Sequence, residues 1–278
     1  MIGLKKKVMA GVVATAALVL TAGCTSPNGA TGGGGGSSAP ADSHLSKVLK
    51  SKKIKIAVQS EAAPWGVLKS DGQYQGFDID IAKALGKSLG AKVDFVSTTN
   101  ESRIPLLQSD KVDVVIASFT ATDDRAQQVA FTVPYAAGGT LVAVPKSSSI
   151  SSYGDLAGKS VSASRGSIGE SILTSHFPKA KPALFNTFAD SVQALKSGKV
   201  DALIENNVIV PQLVQKDPSL RILQGPVLEP SLMSMGIQQG DQVWMNYLNT
   251  FIRNYNVSGE NDAASRKWLS QPMPAFLK

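Results

Sequence analysis

The chain has 278 residues, of which 43% are hydrophobic and 18% charged, enough apolar content for one large or two medium cores. Its formal charge is +7, but the lysines are scattered and no basic stripe carries interleaved aromatics, which argues against a nucleic-acid partner. A single cysteine, Cys24, excludes an internal disulfide, so stability must come from packing.

Lys5-Lys6-Lys7, the apolar run Val8 to Leu20 and the small residues Thr21-Ala22-Gly23 follow one another in the order of a secretory leader, and the run is too short to span a bilayer. With Cys24 next, the segment resembles a bacterial lipoprotein signal, although Thr21 stands where such signals usually carry leucine. The resemblance implies a signal peptide over 1–23 and lipidation of Cys24 as the first mature residue. Three lysines and no acid leave with the leader, so the mature charge falls to +4. The alternative is an ordinary cleaved leader followed by a chance cysteine. Residues 24–46 are mainly Gly, Ser, Ala, Thr and Pro, with glycine throughout 32–36, and read as a flexible tether that includes His44. The body beyond it is expected to be extracytoplasmic and soluble, held at the bacterial membrane by its lipid.

Ile54, Ile56 and Val58 alternate with polar neighbours and predict a half-buried strand, after which Pro64-Trp65-Gly66 and Asp71-Gly72 mark loop and turn. Phe77, Ile81, Leu85 and Leu89 recur every fourth residue and predict a helix over 78–89, stopped by Gly90. A strand at Val93–Val96, a short helix at Arg103–Ser109 and a continuous apolar strand at Val112–Ala117 complete an α/β series. A second series follows: strand 160–163, a turn at Gly166 into a helix ending at Ser175, strand 183–185, helix 189–197 and strand 200–204. Gln108-Ser109-Asp110-Lys111-Val112-Asp113 and Lys196-Ser197-Gly198-Lys199-Val200-Asp201 occupy the same place in each series. Either helix-turn-strand units share turn chemistry here, or the chain forms two similar lobes with a cleft between them. A strand at 233–238 and helices at 243–254 and 263–269 close the chain.

No GxSxG, HExxH, P-loop or paired metal-ligand motif is present, so hydrolase and metal chemistry are disfavoured and no cofactor is implied. Ala117-Ser118-Phe119-Thr120-Ala121-Thr122-Asp123-Asp124-Arg125 is the informative stretch. It follows a buried strand, where ligands bind in open α/β sheets, and combines hydroxyls with a guanidinium able to grip a carboxylate through two hydrogen bonds. A solvated Arg125 beside two aspartates is the plain alternative.

That stretch, together with Gly76-Phe77-Asp78-Ile79-Asp80-Ile81-Ala82-Lys83-Ala84-Leu85 and Arg103-Ile104-Pro105-Leu106-Leu107-Gln108-Ser109, resembles the polar-amino-acid group of family 3 extracellular solute-binding proteins, the receptors of ABC importers. The likeness runs in order over roughly 53–270. It implies a two-lobe periplasmic-binding-protein-like (type II) α/β fold, with 47–140 and 238–278 forming lobe 1, 141–237 forming lobe 2, and hinge strands near 140–146 and 233–238. It implies that Arg125 holds the ligand α-carboxylate with Ser118, Phe119 and Thr120 around it, and that Ser167, after Gly166, contacts the same group, a plain helix cap being the alternative. Trp65 would pack on the ligand at the cleft mouth or close lobe 1. Arg103 would reach a distal carboxylate, which favours Glu, Asp, Gln or Asn, although Gln59 is neutral where relatives of that kind carry a basic residue.

Asn206 falls where the family places an acid for the ligand ammonium, with Glu205 one residue earlier; adjacent strand residues face opposite ways. Three arrangements remain: Asn206 and backbone carbonyls hold the ammonium, a bulge re-aims Glu205, or the ligand is a dicarboxylate without an ammonium. The expected partners are a small amino acid, a membrane permease and a lipid bilayer, with the chain a monomer and not an enzyme. The other readings are a cyclohexadienyl dehydratase-like enzyme using Glu205 as acid, and a sensor module feeding a kinase.

Overall fold

The computed structural model describes residues 42–277; the expected signal peptide, Cys24 and the tether up to residue 41 lie outside the described residues. The chain order is α1 (His44–Ser51), β1 (Lys53–Gln59), a small antiparallel sheet of β2 (Glu61–Ala62), β3 (Gly66–Leu68) and β4 (Tyr74–Gln75), then α2 (Phe77–Leu89), β5 (Lys92–Thr98), α3 (Arg103–Gln108), β6 (Val114–Val115) and α4 (Asp123–Ala126). The long β7 (Ala130–Pro145) leads to β8 (Ser160–Ser164), α5 (Ile168–Ser175), β9 (Lys181–Phe185), α6 (Phe188–Lys196), β10 (Ala202–Asn206), α7 (Ile209–Lys216) and β11 (Leu220–Ile222). β12 (Leu228–Ile237), α8 (Gln242–Val257) and α9 (Glu260–Leu269) complete it.

The main sheet has the order β5-β1-β6-β12-β7-β10-β8-β9, with β11 paired to β7. Pairing is parallel within β5-β1-β6 and within β10-β8-β9, and antiparallel where β12 and β7 join the two groups. The alternation of Ile54, Ile56 and Val58 predicts a half-buried strand, but β1 lies inside a parallel group and is covered on both faces. Ile54, Ile56 and Val58 pack with Phe77, Ile81 and Leu85 of α2 and Trp244 and Leu248 of α8, whereas Ala57 points to the opposite core with Leu107, Val115 and Phe119. β10 repeats the arrangement, with Ala202 and Ile204 on one core and Leu203 on the other. Each fully buried large apolar side chain contributes roughly 1.5–3 kcal/mol. The outcome is a two-lobe α/β fold, each lobe with its own parallel sheet and helical covers.

The sequence echo is structural. Lys55 N–H donates to Asp113 Oδ2 at 2.7 Å, and Ser160 N–H donates to Asp201 Oδ2 at 2.8 Å. Equivalent aspartates thus pin equivalent neighbouring strands. The preceding turns match too, with Asp110 (φ 53°) and Gly198 (φ 72°) both left-handed.

Several boundaries differ from expectation. His44 is not tether: it sits in α1, capped by Ser43, with its ring nitrogens 3.0 Å from Asp241 Oδ2 and 2.9 Å from Asp110 Oδ1. Only Val114–Val115 of the expected 112–117 strand is laddered as strand, although Val112 and residues 114–117 are buried, because the chain turns out of the sheet at Ser118. Helix α7 and the small β2-β3-β4 sheet were not foreseen; the sheet's strands of two or three residues are too short to carry a hydrophobic period.

Candidate functional site

The cleft is lined from one side by Gln59, Asn100, Arg103, Ser118, Thr120 and Arg125, and from the other by Ser167, Ile168, Gly169, Phe188, Glu205 and Asn206. The first group comes from strand ends of the β5-β1-β6 group and the loops and short helices that follow them, the second from the turn after β8 into α5, the start of α6 and the end of β10. Both positions are where backbone donors are free and side chains converge in open α/β sheets.

Arg125 is carried by the short α4, whose N-cap Thr122 accepts from Arg125 N at 3.3 Å. Its Nη1 donates to Thr120 O at 2.7 Å and its Nη2 to Gly166 O at 2.9 Å. A guanidinium has five N–H groups, so three remain to face the cleft. Burial lowers the Arg125 pKa to about 10, which still leaves it charged at neutral pH.

Arg103 is only 2% exposed. It donates from Nε to Asn100 O at 2.9 Å, from Nη1 to Ala117 O at 3.1 Å and Ser118 O at 3.2 Å, and from Nη2 to Gly166 O at 3.0 Å. Four of its five donors thus hold backbone carbonyls, and a single N–H is left for a ligand. Arg103, expected to reach a distal carboxylate, lines the cleft and at the same time braces these carbonyls. Phe119 lies beneath both arginines, its ring centroid 4.4 Å from the Arg103 guanidinium carbon and 5.4 Å from that of Arg125. It is buried under the site and supports it through its π face.

Gly166 meets both arginines through its carbonyl, and its φ of 72° lies in the left-handed region. A Cβ there would come within 2.8 Å of the Glu101 backbone, so glycine permits the two sides of the cleft to touch. Ser167 satisfies both expectations at once, since its Oγ caps α5 by accepting from Glu170 N at 3.3 Å while the residue lines the cleft.

Trp65 is not brought to the cleft. It is fully buried and packs edge-on against Phe77 at 5.6 Å between ring centroids, closing the core of the first lobe. Glu205 and Asn206 both line the cleft, against the alternation expected of a strand. The reason is local: at the end of β10 the Glu205 side chain folds back so that Oε1 accepts from Asn206 N at 2.8 Å, while Asn206 Oδ1 accepts from Val208 N at 2.9 Å. Asn206 therefore offers its NH2 group and Glu205 the carboxylate. Burial raises the Glu205 pKa, opposed by the hydrogen bond from Asn206 and the charge of Arg103.

Two features escaped sequence reasoning. Gln59 Nε2 donates to Asn100 Oδ1 at 3.0 Å, leaving Gln59 Oε1 buried without a partner among the described residues. That atom belongs to a residue shared by the cleft and a polar side chamber of about 160 Å³ walled by Ser97, Thr98, Asn186 and Thr187, with Glu61 as its one acid among the described residues. Asp78, quoted above only as part of a helix motif, lies under Ser118; its burial in an apolar position was the available signal.

Residues 54–271 match the sequence profile of bacterial extracellular solute-binding proteins, family 3. The chain belongs to this family. Among family 3 relatives it is 27% identical to the ABC transporter glutamine-binding protein GlnH of Bacillus subtilis, over 96% of this chain and 98% of the relative. It is 30% identical to a glutamine-binding protein of Geobacillus stearothermophilus, over 76% and 84%. A solved receptor for L-cysteine from Neisseria gonorrhoeae superposes with a TM-score of 0.78 at 29% identity, covering 81% of this chain and 93% of that one. The protein is thus an amino-acid-binding component of an ABC transporter, of an extracytoplasmic family whose compared members are named for the ligand they bind.

Proposed function

We propose that the protein captures an α-amino acid bearing a side-chain amide, glutamine or asparagine, and delivers it to a membrane permease. The observation that carries the reading is Arg125, a charged guanidinium with three unengaged N–H groups facing a cleft, the arrangement that grips an α-carboxylate. Glu205 supplies the acid for the ammonium, in place of Asn206. Gln59 Oε1 supplies an unpaired buried acceptor for the N–H of a ligand amide, and the adjoining side chamber, with Glu61 and no base among the described residues that line it, favours an amide over a carboxylate. A carboxylate side chain would leave that acceptor unpaired and find one free N–H on Arg103. Two of the compared relatives are named for glutamine, which agrees with this choice.

Capture works by closure. The proposed lobes are 47–140 with 238–278, to which α1 adds, and 141–237; β7 and β12 cross between them, with register shifts between Leu228 and Gly236 that suit bending. A ligand bridging Arg125 on one side and Glu205 on the other stabilises the closed form selectively. In the cell the protein is a monomer, lipid-anchored through Cys24 on the outer side of the membrane. A thermal-shift screen of the amino acids and small dicarboxylates tests the ligand. Glutamine or asparagine should give the largest shifts, and Gln59→Leu should narrow their advantage over glutamate. Larger shifts with glutamate would overturn the amide assignment, and none with any amino acid would overturn the receptor reading.

A further inference from the structure

Ser118 is the strained point of the cleft wall. It is neither glycine nor asparagine, yet its φ is 46°, in the left-handed region that an L side chain rarely adopts. Its residue lines the cleft beside Thr120 and Arg125, so this backbone conformation sets where the wall's hydroxyls stand. Something must hold it there.

Both peptide groups of Ser118 are gripped by buried polar side chains, a carboxyl group on one side and a guanidinium on the other. Its N–H donates to Asp78 Oδ2 at 2.7 Å, and its carbonyl accepts from Arg103 Nη1 at 3.2 Å. Asp78 is itself fully buried in the first turn of α2 and does not line the cleft. Its other oxygen, Oδ1, accepts from the Tyr135 hydroxyl at 2.9 Å, and the Tyr135 carbonyl accepts from Asn261 Nδ2 at 2.9 Å. The carboxyl group is therefore fixed between partners from separate elements, and α9 braces the strand that carries one of them. A carboxylate fits because each of its oxygens is an acceptor.

We propose that Asp78 is a positioning residue of the ligand cleft, holding the Ser118 peptide in its left-handed conformation so that the wall from Ser118 to Arg125 faces the ligand. The affinity consequence rests on the receptor reading above; the hold on Ser118 does not.

The test reads amide hydrogen exchange at Ser118 in the ligand-free protein, by two-dimensional NMR, together with glutamine affinity. Asp78→Asn can still offer Ser118 one acceptor while its NH2 faces the rotatable Tyr135 hydroxyl, so exchange and affinity should stay within about threefold of the wild type. Asp78→Leu has a similar side-chain volume and no acceptor; Ser118 exchange should accelerate at least about tenfold and affinity fall at least about tenfold. In a Ser118→Gly background, where the left-handed conformation is intrinsic to the backbone, Asp78→Leu should lose much less affinity than it does with Ser118 present. Equal losses in both backgrounds, or Ser118 exchange in Asp78→Leu as slow as in the wild type, would overturn the proposal. If Asp78→Leu does not fold, Asp78→Asn decides: a tenfold loss of affinity with unchanged Ser118 exchange would assign the effect to charge rather than position and overturn it. Failure of the wild type to bind glutamine would strike the ligand reading alone, because the exchange measurement needs no ligand.

Discussion

Arg103 and Arg125 stand on the same aromatic floor, touch the same carbonyl of Gly166, and differ in what their remaining donors do. Arg103, in the first turn of α3, is drawn under the loop and holds three further carbonyls, whereas Arg125, on the shorter and more exposed α4, holds one. The difference teaches that a buried guanidinium can serve as a structural hub or as a ligand clamp according to how many carbonyls surround it, and residue type alone does not tell which. It also separates the expected consequences of losing each. Arg103 belongs to the stability of the loop wall and Arg125 to the affinity of the cleft.

The largest effect should come from the hub. Arg103→Ala should lower folding stability by on the order of 3–5 kcal/mol, because four carbonyls and the nearby buried acids lose their charged partner, as read by chemical denaturation. Arg125→Ala should instead cost about 2 kcal/mol of binding, roughly 30-fold in Kd, while leaving the denaturation midpoint nearly unchanged. If both substitutions act on stability alike, the distinction fails. Gly166→Ala sharpens the comparison further. The added Cβ meets the Glu101 backbone, so affinity should drop roughly tenfold and small-angle scattering with ligand should report a more open molecule.

A smaller effect concerns acid–base balance beneath the same wall. Burial pushes the Asp78 carboxyl up from 3.8 to about 7, against the opposing pull of Tyr135, Ser118 and Arg103. The folded state then holds a proton that the unfolded chain releases. The resulting stability is fully present below about pH 4 and is lost as pH rises through about 7. Denaturation of Asp78→Asn across that range should show a flatter pH profile than the wild type, since asparagine has no proton to lose. Identical profiles would contradict the assignment.

Much of the architecture was legible because hydrophobic period is a strong signal in long elements. The four-residue recurrence from Phe77 to Leu89 gave α2 nearly to its ends, and the two-residue alternation of Ile54, Ile56 and Val58 identified both faces of β1. The echo between 108–113 and 196–201 raised the two-lobe arrangement, and the structure adds that its aspartates pin equivalent strands. Arg125, Ser118 and Thr120 were legible as cleft residues because they follow a buried strand, and Ser167 through the family resemblance. What was not legible depends on side chains meeting across distant segments. Arg103 donates to carbonyls up to 63 residues away, and His44 pairs with Asp241 across 197. For Trp65 the sequence leaves packing on the ligand and closing lobe 1 both open, and its place in the adjoining core is the second of these. Of the three arrangements left open at Glu205 and Asn206, strand alternation could not choose, because the rule lapses at a strand's last residues, where the chain is already turning.

The central claim is that the cleft takes an amide-bearing amino acid through the open donors of Arg125. Calorimetric titration of the purified protein and of Arg125→Ala with glutamine tests it most directly. Saturable one-to-one binding by the wild type, weakened roughly 30-fold in the variant, is the predicted result. Equal affinity in the two proteins would contradict the account.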